Sequence, residues 1–226
     1  RHGVELTQAG QQYYQSIKPY LIGLEQCTLD VITHKGLGGT LKLGVVPTFA
    51  TRWLLPKLQR FNQIHPEITI HLETSTKPFL FNENIFDAAI YAGTQQQIDH
   101  WPGTQTHFLM TEDVVPVCSP QLIEKHFPDA KKINAHCYDL DSEQIIQLPL
   151  LQQTTTLNIW QEWCQMHGIE HAKPFDGQRH ELFSMLAVAA SHGMGMALIP
   201  QMLIQNELKN AELVIVSNKV LTGMRS

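Results

Sequence analysis

Three features of the sequence predict an α/β fold. Residues 40 to 74 read as strand, helix, strand, a βαβ unit whose crossover should be right-handed. The apolar run Met194-Gly195-Met196-Ala197-Leu198-Ile199-Pro200 follows a helical pattern and has the make-up of a buried strand. Strand and helix patterns alternate along the rest of the chain, which implies parallel sheets covered on both faces.

Taken in order, Thr7 is placed to cap a first long helix, its hydroxyl accepting from an early backbone N–H. Tyr13, Ile17, Tyr20, Leu24, Cys27 and Val31 then recur at spacings of four and three, an apolar stripe suited to packing on another helix. Pro19 should kink that helix or loosen one turn. Gly36, Gly38 and Gly39 read as a hinge-like linker. Leu41, Leu43 and Val45 alternate as a strand, and Pro47-Thr48-Phe49-Ala50 turns the chain. A helix with Leu54, Leu55, Leu58, Phe61 and Ile64 on one side leads to a second strand, Ile68, Ile70 and Leu72. Asp87-Ala88-Ala89-Ile90-Tyr91 is a third, and residues 107 to 118 read as extended. Ser119 caps a helix to about His126. Residues 129 to 156 are polar and give no clear period. Helices are predicted at 157 to 167, 180 to 192 and 201 to 209, and a last strand at 213 to 217.

Composition narrows the function. With 43% apolar and 16% charged residues, the 226-residue chain is an ordinary globular one, long enough for one large domain or two small ones. Its net charge of −5 gives no nucleic-acid footprint, because phosphate binding needs clustered cations. No apolar run reaches the roughly 18 residues of a membrane helix. Cys27, Cys118, Cys137 and Cys164 are scattered without a CxxC pair, which favours reduced thiols in a cytoplasmic protein.

Catalytic signatures are missing from the sequence: it has no G-x-S-x-G, no P-loop, no GxGxxG and no HExxH. Among twelve histidines the best metal constellation is Cys164-x-x-His167-x-x-x-His171. Gly168 should end the helix between the two histidines, so the three need not converge, and neither metal nor cofactor is expected. A redox pair of Cys137 and Cys164 would need the two to meet, which the sequence gives no reason to expect.

Arg1-His2-Gly3-Val4-Glu5-Leu6-Thr7-Gln8-Ala9-Gly10 resembles the last strand of a winged helix-turn-helix running into the linker helix of LysR-type transcriptional regulators. Gly39-Thr40-Leu41-Lys42-Leu43-Gly44 is similar to the first strand of that family's effector domain. Phe49-Ala50-Thr51-Arg52-Trp53-Leu54-Leu55-Pro56-Lys57-Leu58, with Phe61 and His65-Pro66, resembles its glycine-cleavage-activator subgroup. Asp87 to Gly93, Trp101-Pro102-Gly103, Pro116 to Pro120 and Gly193 to Pro200 follow in the family's order.

The resemblance implies two Rossmann-like subdomains of the type II periplasmic-binding-protein kind, preceded by a long dimerisation helix. Residues 1–7 would be the trailing wing strand of a DNA-binding domain that precedes this chain, and 8–35 the linker helix. Residues 40–114 with 214–226 would form subdomain I, whose C-terminal part would lie beyond the chain, and 115–213 subdomain II. It further implies a small-molecule effector, a carboxylate or an amino acid, between the subdomains, DNA contact through the preceding domain, and a homodimer or homotetramer. The competing reading is a solute-binding protein of a transport system, which would share the cleft but has no use for the segment from Val4 to Val31.

Ligands in such sheets lie beyond the carboxyl ends of the strands. Thr48 and Phe49 stand where the first strand meets a helix, and Ser75 and Thr76 where the second strand ends, so these four are the expected effector-binding residues. Each also fits an ordinary cap or turn. Arg52 and Arg179 are candidate carboxylate partners, because a guanidinium can hold both oxygens. Phe79, Trp101 and Phe108 are candidates for an apolar wall, or for plain core packing.

Overall fold

The computed structural model describes residues 4–34, 39–77, 86–94, 97, 104–170, 173–222 and 225. Helix α1 (Gln8–His34) opens on the predicted cap, with the Gly10 amide donating to Thr7 Oγ1 at 3.2 Å. It runs through Pro19 without interruption. Much of its apolar stripe is unpartnered: Tyr13 is 68%, Tyr20 77% and Leu24 66% exposed. Residues 4–7 form no regular element, and 1–3 of the expected wing strand lie outside the described residues, as do Gly36 and Gly38 of the expected linker.

Strands β1 (Gly39–Val45), β2 (Ile68–Thr74) and β3 (Ala88–Ile90) form a parallel sheet in the order β2-β1-β3. Leu43 lies between Leu72 and Ala88, and Val45 between Thr74 and Ile90. The crossover from β1 to β2 is helical throughout: α2 (Pro47–Phe49), a π-helical turn (Ala50–Leu54), then α3 (Leu55–Ile64). The predicted apolar face of that helix is only partly used. Leu54 is buried, but Leu55 and Ile64 are exposed. A π turn closes i→i+5 bonds and so adds a residue, which shifts the helix faces on either side of it out of phase.

The second sheet has the order β5-β6-β10-β4-β9, built from β4 (Val114–Cys118), β5 (Lys132–Asn134), β6 (Cys137–Tyr138), β9 (Ala197–Pro200) and β10 (Val214–Ile215). It is mixed rather than parallel, since β4 runs antiparallel to both β9 and β10. The return expected at residue 214 also falls later: Val214 and Ile215 pair with Cys118 and Val117 inside this larger sheet. Around it stand α4 (Pro120–His126), α5 (Ser142–Gln147), α6 (Ile159–Met166), α7 (Phe183–Ser191) and α8 (Gln205–Lys209). Ser119 caps α4 as predicted, its Oγ accepting from the Leu122 amide at 3.3 Å.

A short parallel pair, β7 (Leu151–Gln153) and β8 (Gln178–His180), is joined to the larger sheet by a bridge between Leu150 and Met196. Gly177 stands at this join with φ +121°; a Cβ there would fall 1.8 Å from the Leu150 carbonyl oxygen, so only glycine fits. Two apolar clusters hold the molecule. One takes in Leu43 and Val45 of the first sheet together with Val117, Leu186 and Ile199 of the second part, and so fastens the two together. The other surrounds the fully buried Trp160 and Trp163, whose rings meet edge to face with centroids 5.7 Å apart.

Candidate effector cleft

A cavity of about 300 Å³ opens where the carboxyl ends of the three parallel strands of the first sheet meet those of the parallel pair β7 and β8. β1 contributes Thr48 and Phe49, β2 Thr76, and β3 Tyr91 and Ala92. From the other side β7 contributes Thr155 and Thr156, and β8 Glu181. The back is closed by the two segments that cross between the sheets, which carry Glu112 and Arg225. These segments pair as antiparallel chains: Val114 and Leu221 exchange backbone bonds of 3.0 and 2.9 Å, and the Glu112 amide donates to the Arg225 carbonyl at 3.1 Å. Arg225 also donates through its guanidinium to the Ala92 carbonyl, at the end of β3.

Of the six residues predicted for the site, three line it. Thr48 is 6% exposed and bridges the cleft: its Oγ1 accepts from the Ser184 amide at 3.2 Å, at the start of α7. Phe49 lines the cavity and stacks on Trp53 with centroids 4.7 Å apart. Thr76 donates to Glu181 Oε1 at 2.8 Å, a second contact across the mouth. Ser75, by contrast, spends its hydroxyl on its own turn, bonding the Lys77 amide and carbonyl.

Neither predicted arginine is a cleft residue. Arg52 reaches away from the cavity, donating to the Leu203 carbonyl at 3.2 Å and pairing with Glu207. It lies in the π turn, whose extra residue shifts the face it presents relative to Thr48. Arg179 sits on β8, paired opposite Gln152, exposed and off the cavity wall. Phe108 is 72% exposed and also off the wall, whereas Phe79 and Trp101 lie outside the described residues.

Sequence reasoning missed the charged groups that are there. Glu112 is 8% exposed, and burial raises its carboxyl above the usual range, partly offset by Arg225 with Nε 3.7 Å away. Glu162, on α6, is likewise raised by burial, with Arg225 and a hydrogen bond from Asn158 opposing. The turn after β7 is built by buried Gln153, whose Oε1 accepts from the Thr155 amide and from both threonine hydroxyls while its Nε2 donates to the Glu181 carbonyl. A signal for that turn was present in the polar run Gln152-Gln153-Thr154-Thr155-Thr156; Glu112 and Arg225 had none, because crossing segments carry no local pattern.

Of the candidate metal constellation Cys164, His167 and His171, the last lies outside the described residues; among those described no group of three candidate ligands converges. The cysteines are free; Cys164 is buried, and burial holds its thiol above the ordinary range.

Two sheets, a cleft at the strand ends and a double crossing behind it define a two-lobed small-molecule-binding domain. The chain belongs to the LysR substrate-binding-domain family, whose model matches residues 34–221. It is similar to the glycine cleavage system transcriptional activator of Escherichia coli K12, 28% identical over 218 residues, covering 96% of this chain and 66% of that protein. The transcriptional regulator DsdC of the same organism is 31% identical over 214 residues, with 93% and 65% covered. The chain thus spans about two thirds of the length of these relatives. In fold it matches the effector domain of AmpR from Pseudomonas aeruginosa, with a TM-score of 0.68 and 22% identity over 82% of each chain. Full-length AphB of Vibrio cholerae matches all of this chain and 73% of its own, with a TM-score of 0.61 and 21% identity. The family is one of ligand-binding regulatory domains, not of enzymes, and its match favours the regulator over the transport receptor.

Proposed function

We propose that this chain is the effector-sensing and oligomerising part of a LysR-type transcriptional regulator. A small molecule enters the cleft between Thr48, Phe49 and Thr76 on one side and the Gln153–Thr156 turn on the other. Binding shifts the population between two settings of the lobes, as any ligand with unequal affinity for two states must. The change passes to α1, which pairs with its counterpart in a dimer or tetramer, and from there to DNA through a preceding winged helix-turn-helix. The protein works in the cytoplasm, where the DNA is. The observation that carries the reading is the cavity of about 300 Å³ at the strand ends, at the lower bound of ordinary ligand sites. The exposed aromatic stripe of α1 supports the pairing.

The test is thermal melting of the chain against amino acids, small carboxylates and cell-wall fragments. A ligand at a hundred times its dissociation constant adds about 2.7 kcal/mol of stability. Ala92→Phe, which fills the cleft from the β3 side, is expected to abolish the shift. A shift that survives Ala92→Phe would place the ligand elsewhere and sink the reading.

A further inference from the structure

Side chains join the two lobes both at the cleft and away from it. At the cleft, Thr48 Oγ1 accepts from the Ser184 amide at 3.2 Å, and Thr76 donates to Glu181 Oε1 at 2.8 Å. Thr48, Thr76 and Glu181 all line the cavity, so an occupant competes for both contacts. Arg52 and Glu207 join the lobes off the cavity wall. The Arg52 guanidinium donates to the Glu207 carboxylate and, at 3.2 Å, to the Leu203 carbonyl.

Each end of this pair is anchored in its own lobe. Arg52 stands in the π turn between buried Ala50 and Leu54, on the crossover from β1 to β2. Glu207 stands in α8, and its carbonyl accepts from the Glu212 and Leu213 amides at 2.9 and 3.2 Å, just ahead of β10. The two side chains are 23% and 13% exposed, shielding enough to lift the pair above the small worth of a surface ion pair. Glu207 Oε2 is buried without a partner among the described residues, so loss of Arg52 leaves the carboxylate wholly uncompensated. Close packing gives less help at this edge, where a hollow of about 300 Å³ is lined by Arg52, Trp53, Lys57, Leu203 and Asn206.

We infer that Arg52 and Glu207 are the tie that keeps the lobes together when the cleft-side contacts part. Arg52 is thus a positioning residue: it touches no occupant of the cleft and limits how far the cleft opens. The inference rests on the two-lobed sensing proposed above and adds the restraint on its movement.

Hydrogen exchange of the ligand-free full chain tests it. The Ser184 amide lies in the first turn of α7, where the helix itself offers no carbonyl, so its bond to Thr48 reports contact between the lobes. The Leu186 amide bonds the Leu182 carbonyl at 3.0 Å and reports α7 alone. Arg52→Gln and Glu207→Ala are each expected to raise exchange at Ser184 relative to Leu186 at least tenfold, as a local opening does. The double variant should go no further than the larger of the two, because either change breaks the same pair. Glu207→Ala, on the partly exposed α8, keeps the test open should Arg52→Gln fail to fold. Equal acceleration of both amides would mean that the pair stabilises the fold as a whole, and overturns the tie. An unchanged ratio overturns it too, as does a rise in only one of two folded single variants. No ligand is used, so these outcomes leave the effector reading untouched; that reading falls to binding that survives Ala92→Phe.

Discussion

The two sheets are built to different standards of burial. Every residue of β4 and β9 is buried, whereas β2 alternates between half-buried and exposed positions along its length. Helix α3, which crosses over the smaller sheet, has no fully buried residue, while α6 and α7 each bury four. Stability per residue therefore concentrates in the larger sheet, and the smaller one is held chiefly by what it shares with its neighbour, through Val45, Phe49 and Leu54.

Substitutions matched across the two sheets put numbers on this contrast. The largest effect is expected from Trp160→Ala, which empties a fully buried position and removes the indole bond to the Leu151 carbonyl; denaturant unfolding should show a loss of about 3–5 kcal/mol. Arg52→Met comes next. It leaves Glu207 without its cation, with one carboxylate oxygen already buried and unpartnered, and should cost about 2 kcal/mol, largely recovered by adding Glu207→Leu. Leu72→Ala, in the half-buried β2, should cost only about 1 kcal/mol. A loss as large as that of Trp160→Ala would show the smaller sheet to be as tightly packed as the larger.

The smallest effect has the opposite sign. Because the Glu112 carboxyl is raised in the folded state, the stability it contributes is present below the ordinary value of 4.5 and lost as pH rises through the raised one. Glu112→Gln should therefore be more stable than the parent at pH 7, by up to about 1 kcal/mol. Melting curves taken at falling pH should converge. A variant less stable at pH 7 would mean that the ion pair to Arg225 outweighs the cost of burial.

The contrast also governs what the sequence disclosed. Strong local periods survived: the α1 stripe, the β1-helix-β2 unit and the Met194 to Pro200 run all became the elements they predict. Residues 129 to 156 hid four elements, because their strands are two or three residues long, too short for a period. A punctuation mark was available there. Asp141-Ser142-Glu143-Gln144 is a capping box, with the Asp141 side chain taking the Gln144 amide and the Gln144 side chain taking the Asp141 amide. The π turn, in which Arg52 lies, left no such mark. The cleft was legible where one strand end supplied both backbone and hydroxyl, as at Thr48. It was illegible where residues from distant strands meet, as Glu112 and Arg225 do.

The double crossing behind the cleft has a mechanical consequence. Among the described residues only the segment leading into β4 joins the sheets covalently, and the segment after β10 is tied to it and to β3 by hydrogen bonds, so a pull that separates the sheets is borne by one backbone and the bonds beside it. Tilting one sheet within the plane of the pair would slide one chain along the other and shear the bonds joining Val114 to Leu221 and Glu112 to Arg225. The joint thus has one covalent member, and the second segment acts as a splint hydrogen-bonded along it.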